Sequence, residues 1–288
     1  MREVIALISI WYQLIDHLLP FTWAGHLFMK NALLAVLLIT PVFGLMGTMI
    51  VNNRMAFFSD AIGHSALTGI AIGVLLGIHN PLWAMVLFSI LFSFAITYVK
   101  GVIKISSDTV IGVFSSTAIA AGIVILSRGG GFNKYSSYLI GDLLSIYPKE
   151  LGLLLLLLAI VFVFWIAFFN KLLLVSVNPS LAASRGVQVR WIETLFTAMT
   201  AIVVSMSIQW VGLMIINSLL VLPAATARNL ARNMRQYHVY SVGISLVSGV
   251  LGLLGSYYWN TATGATIVLV TAVGYFLSFL YRLRHSRL

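Results

Sequence analysis

The sequence predicts an all-α protein, a polytopic bundle of about eight or nine membrane-spanning helices. Three observations carry this. Of the 288 residues 60% are apolar, and only 8% are charged, whereas a soluble domain carries about a quarter. The apolar residues also gather in runs close to the roughly 20 that one bilayer crossing needs. This composition excludes a water-soluble fold and leaves almost no chain for an extramembrane domain. No GxxxxGKS or GxxxxGKT phosphate loop occurs, so any ATP-driven work has to come from another chain. There is no cysteine, which excludes disulfides and thiolate metal ligands and leaves oxygen and imidazole.

In chain order the apolar runs fall at about 31–51, 61–77, 80–99, 109–127, 151–169, 191–209, 211–227, 239–258 and 262–281. The run 211–227 is short and contains Pro223, which suits a half-helix. Residues 4–23 are interrupted by Gln13, Asp16, His17 and Pro20, a pattern for a helix lying at the interface rather than a span. The expected division is therefore an N-terminal interfacial segment, 1–30, and a transmembrane domain, 31–288. Residues 128–150 hold a glycine run and an apolar piece too short to cross, which reads as an external loop with a short surface or re-entrant helix.

The net charge of +10 reports topology before it reports nucleic acid, and no nucleic-acid partner is expected. If the nine runs cross alternately, one side holds Arg54, Lys100, Lys104, Lys171, Arg185, Arg190, Arg228, Arg232, Arg235, Arg282, Arg284 and Arg287. The other holds Lys30, Arg128, Lys134 and Lys149. Twelve against four places the C-terminus and the loop 170–190 in the cytoplasm.

The segment 53–77 carries the best candidates for chemistry. On a helix, Asp60 and His64 are four apart and share a face, which Thr68 continues. Beside them Ala61, Ser65, Gly69, Gly73 and Gly77 form a stripe of small residues, the kind that lets helices pack backbone to backbone in lipid. A carboxylate and a neutral imidazole at this spacing supply two ligands to a first-row divalent cation, with water or another helix supplying the rest. The competing reading is a plain hydrogen bond near the interface. Asp108 reads as a helix N-cap. Asp142, in the external loop, is a weaker candidate for attracting a cation and as good a candidate for a loop cap. Arg190 and Glu193 read as a surface ion pair, and His17, His26, His79, His238 and His285 as solvated or interfacial. Trp83, Trp191, Trp210 and Trp259 read as an aromatic belt. No Ser/His/Asp arrangement or HExxH signature is present.

In the loop 170–191, Asn178 or Ser180 can cap a two-turn helix that starts near Pro179 and ends at Gly186. Its small face, Ala182 and Ala183, would allow close docking to a partner, with Arg185 and Arg190 at the rim.

Together SDAIGHSALTGIAIG, SSDTVIGVFSSTAIAAGIVILS, YLIGDLL, NPSLAASRGV, VGLMIINSLLVLPAATARNLAR and GATIVLV resemble, in this order, the permease subunits of the zinc/manganese/iron family of bacterial ABC importers. The likeness covers residues 31 to about 280; residues 1–25 have no counterpart in it. The resemblance implies a type II importer fold, a bacterial plasma-membrane location and a permease homodimer. It also implies two cytoplasmic ATP-binding subunits that hold the ATP, and an extracytoplasmic metal-binding protein. It implies that Asp60 and His64 lie on the metal path. It matches Pro179, Ala182, Ala183, Arg185 and Gly186 to the loop that couples to the ATPase. The cargo would be zinc by a small margin, or manganese or iron; no cofactor is expected in the chain itself, and it would not be an enzyme. The alternative is a secondary transporter or channel for a divalent cation. Such a carrier needs no cytoplasmic docking helix and more intramembrane carboxylates than are found here.

Overall fold

The computed structural model describes residues 2–18, 21–78, 80–102, 106–128 and 141–285. Among them run eleven α-helices: α1 (Arg2–Leu18), α2 (Leu27–Asn52), α3 (Ala56–Leu75), α4 (Pro81–Val102), α5 (Ser107–Arg128), α6 (Pro148–Val177), α7 (Pro179–Ser184), α8 (Val189–Val211), α9 (Leu213–Leu230), α10 (Met234–Trp259) and α11 (Thr263–His285). Short 3-10 turns cover Thr22–Gly25 and Leu143–Ser145. Eight helices are long and apolar enough to cross a bilayer; α9 carries a shorter apolar stretch, Ile215–Leu230. This is the eight-or-nine-span bundle that the composition demands.

The helix ends follow local chemistry. Ser106 caps α5 by accepting the Thr109 N–H at 3.2 Å, so Asp108 is not the cap but a first-turn carboxylate that complements the helix dipole. At the start of α6, Pro148 sits where its missing N–H costs nothing, and Glu150 accepts the Tyr147 N–H at 2.8 Å. Arg54 ends α2 with φ 56, the left-handed position that glycine usually takes. The Met55 N–H reaches back to the Ile50 carbonyl at 2.8 Å. A left-handed arginine costs about 1–2 kcal/mol.

α9, at 18 residues, is shorter than the eight spans and continuous through Pro223; the break between it and α8 lies at Gly212, whose φ is 89. One expectation about helix extent needs correction. α6 continues two turns past residue 169 to Val177, because Leu172 and Val175 extend the apolar pattern and are buried, while the Lys171 ammonium lies over the Phe168 ring.

The chain groups into two compact units: Met1–Thr48, Asp142–Val163 and Leu219–Leu288; and Met49–Gly141 with Phe164–Ser218. In the first, α10 lays a small-residue edge on α2. Ser241 donates to the Gly44 carbonyl at 2.7 Å and Ser245 to the Thr40 carbonyl at 2.8 Å. A Cβ on Gly249 would meet Val36 and Thr40 side chains at 2.7 Å. These hydroxyls join helices where lipid offers no hydrophobic drive between them. α1 docks on the start of α2: Trp11 Nε1–H donates to the Lys30 carbonyl at 3.0 Å and Tyr12 O–H to Asn31 Oδ1 at 2.5 Å. Lys30 Nζ, on a side chain only 8% exposed, meets Asp16 at 2.5 Å. Burial raises the Tyr12 hydroxyl pKa above its ordinary value against the opposing pull of the Asn31 bond.

In the second unit α3 is the hub, packed on α4, α5 and α8. Trp210 and His238 are buried, in the second and first unit respectively, rather than belt-forming or solvated; Trp83, Trp191 and Trp259 are exposed as expected. His79 and most of the stretch 128–150, residues 129–140, lie outside the described residues.

Candidate functional site

Three sides of α3 are occupied by neighbouring helices, in part through small residues. Gly69 and Gly73 face α4, where added Cβ atoms would meet the Met85 Cα at 3.0 Å and the Ala84 Cβ at 2.5 Å. Thr68 turns to α5 and donates to the Ala118 carbonyl, and Gly122 packs against it. Thr68 therefore does not continue the Asp60–His64 face; its hydroxyl is spent on helix packing. The stripe that begins at Ala61 ends at Gly73, since Gly77 lies in the following turn with φ 69 and nothing near it. On the third side Ser59 hydrogen-bonds to Asn217 Oδ1 at 2.7 Å, and Leu213 lies against Gly63.

What is left open on the first three turns, Ala56 apart, is Phe57, Asp60, His64 and Leu67, which recur at the three- and four-residue steps of one helix face. His64 Nε2 lies 3.7 Å from Asp60 Oδ2, and the two side chains are 27% and 40% exposed. At 3.7 Å the pair is an electrostatic contact rather than a tight hydrogen bond. Both groups thus keep lone pairs free for a third body. Among the described residues no cluster of three or more His, Asp or Glu side chains gathers at one point. Asp60 and His64 present one carboxylate and one imidazole side by side, two groups of the kind a divalent cation accepts.

Asp142 is committed locally. It caps the turn Leu143–Ser145 by accepting the Leu144 N–H at 3.1 Å and the Ser145 hydroxyl. Its neighbour Gly141, at φ 71, abuts the α8–α9 break so closely that a Cβ would stand 2.2 Å from the Gly212 nitrogen. No sequence spacing links these two glycines.

The second candidate feature is α7. Asn178 Oδ1 accepts the Leu181 N–H at 3.0 Å, Pro179 opens the helix, and Gly186 follows it at φ 77. The helix is the one the sequence predicts, but the two alanines part ways: Ala182 is fully buried and Ala183 is exposed. The outward surface is Pro179, Ala183 and Arg185, with Leu181 partly apolar at its edge. Arg190 and Glu193 do not pair; among the described residues the ion pairs are Lys30–Asp16 and His64–Asp60.

Known proteins are similar to this chain over most of its length. The chain is 31% identical over 254 residues to the high-affinity zinc uptake system membrane protein ZnuB of Haemophilus influenzae, covering 88% of this chain and 97% of that one. It is 33% identical over 256 residues to the manganese import system permease protein ScaB of Streptococcus gordonii, covering 88% and 90%. The solved structure of PsaBC from Streptococcus pneumoniae in complex with Fab superposes with a TM-score of 0.78 at 30% identity, over 93% of this chain and 94% of that one. The model of the ABC 3 transport family matches residues 25–282, almost all of the helices described above except α1, and the chain belongs to that family.

Proposed function

We propose that this chain is the membrane permease of an ATP-driven importer of a divalent transition-metal ion. It works as a homodimer in the bacterial plasma membrane, with cytoplasmic subunits hydrolysing ATP and an extracytoplasmic protein delivering the ion. The observation that supports this most is the open strip of α3, where a carboxylate and an imidazole stand half-exposed on an otherwise packed helix. An ionisable pair in a membrane span is costly and marks a path. Two ligands per copy make an incomplete cage, and a second copy about a two-fold axis would offer two more. Loose coordination of this kind suits an ion that has to leave again. Imidazole favours zinc and carboxylate favours manganese; relatives of both kinds exist, and zinc is preferred by a small margin. Asp142, held in its own turn, is at most an outer attractor. Residues 1–30 serve as an interfacial segment on the transmembrane domain. The surface formed by Pro179, Ala183, Arg185 and the Gly186 turn seats the ATPase, with Ala182 packing beneath it.

Asp60→Asn keeps size and removes the charge that offsets dehydration of the ion; His64→Ala removes a nitrogen ligand. Uptake of radioactive zinc and manganese, normalised to folded complex, should fall at least about tenfold, the loss of 1.4 kcal/mol or more of ion stabilisation. Near-normal specific uptake in both variants would refute the assignment.

A further inference from the structure

The second unit contains a hollow of about 700 Å³ where the ends of α2, α4, α6 and α8 meet the start of α7. Arg54, Lys100 and Arg190 line it, with Glu193 the one acid. Among the described residues none of the three cations has a carboxylate within 4 Å, and no hydrogen bond engages their side chains. Arg54 is held there by a left-handed backbone that an arginine adopts only under constraint. Phe58, Phe94 and Phe196 also line it among polar groups, and hydrogen bonds brace this region: Asn52 to Ser176 at 2.7 Å and Thr97 to Thr197 at 3.1 Å.

Three unpartnered cations over an aromatic floor form an amphiphile's site, and the hollow lies at the membrane face that carries the excess of Lys and Arg. A basic pocket between spans on that side fits a phosphate ester with acyl chains attached. We infer that it binds an anionic phospholipid of the cytoplasmic leaflet, its headgroup phosphate on Arg54, Lys100 and Arg190 and a chain against the phenylalanines. A bound lipid would fill the space beside α7 and brace that helix from behind. The inference does not depend on which ion the chain carries, so it stands or falls apart from the metal-path reading.

The test uses full-length protein in mild detergent, exposed to mixed vesicles of phosphatidylglycerol and phosphatidylcholine, with retained lipid quantified by native mass spectrometry. Phosphatidylglycerol should be retained preferentially. Lys100→Gln and Arg54→Asn, the latter keeping a residue that tolerates the left-handed position, should each lower that preference about fivefold, and Lys100→Arg should preserve it. Equal retention of both lipids by the wild-type protein, which needs no variant to fold, would overturn the proposal. So would protection by inorganic phosphate without retained lipid, which would assign the site to a free anion. Cross-linking of Lys100 to an ATP-binding subunit with no lipid retained would give the hollow to a protein partner and overturn it as well.

Discussion

Ser59 and Asn217 share a 2.7 Å hydrogen bond that ties the turn of α3 just before Asp60 to the first turns of α9. The same hydroxyl also meets the Ala56 carbonyl of its own helix at 2.8 Å. The bond holds α3 against α9 one residue before Asp60, so its loss is expected to loosen the placing of Asp60 and His64. Ser59→Ala removes the tie at a cost of order 1 kcal/mol in stability. Metal uptake per folded molecule should drop severalfold while assembly with the ATPase is unchanged. Uptake equal to the wild type would show that the bond has no positioning role.

The two alanines of α7 are expected to separate folding from coupling. Ala182 is fully buried and Ala183 exposed. Ala182→Arg should therefore overpack the interior at a cost of about 1–3 kcal/mol or more, visible as poor expression. Ala183→Arg should give normal amounts of folded permease that no longer co-purifies with the ATPase. If Ala183→Arg retained full complex and full transport, the exposed face of α7 would not be the docking surface.

Gly141 and Gly186 both have positive φ, 71 and 77, yet only Gly141 is crowded: its Cβ would meet the Gly212 nitrogen at 2.2 Å and the Val211 carbonyl carbon at 2.4 Å, whereas nothing lies within 4 Å of Gly186. Gly186→Ala should cost only the left-handed penalty of about 1–2 kcal/mol. Gly141→Ala adds a backbone collision that no side-chain rotation relieves. Thermal unfolding should show a fall of a few degrees for the first and at least about twice that for the second. Equal losses would mean that the Gly141–Gly212 contact is not tight.

Lys30 presents the opposite arrangement, a buried ammonium at 8% exposure answered by an Asp16 that is 58% exposed. Asp16→Asn leaves the ammonium without its counter-charge, and the half-solvated partner limits the cost to about 1–3 kcal/mol. Adding Lys30→Met should restore most of the lost thermal stability, because the pair contributes less than its unpaired half costs. A double variant no more stable than Asp16→Asn alone would refute this.

Features decided within a few residues were legible in the sequence. The cap at Asn178, the proline start and the glycine stop of α7 all lie within one short stretch, and the spans follow from apolar run length. Long-range choices were not. Whether Ala182 or Ala183 faces outward depends on what α7 lies against, and Thr68 was lost to α5 because Gly122, more than fifty residues on, makes room for it. The serines of α10 that donate to α2 carbonyls share a four-residue step with Gly249, a small-residue pattern as legible as the α3 stripe. Buried Trp210 and His238 were not legible, since a position near a span end implies an interface only when no neighbouring helix covers it. The Asp60–His64 pair was visible as a spacing; that it lies on the open strip of its helix is a tertiary fact.

The length of α6 has a mechanical consequence. Its 30 residues make a rod of about 45 Å, some 15 Å more than the hydrocarbon thickness of a bilayer. Only Asn178 separates its end from α7, and that residue's N–H is bonded to the Leu174 carbonyl at 3.1 Å. The last turn is also pinned sideways through Ser176 to Asn52. A push on α7 therefore meets no flexible linker before the last turn of α6.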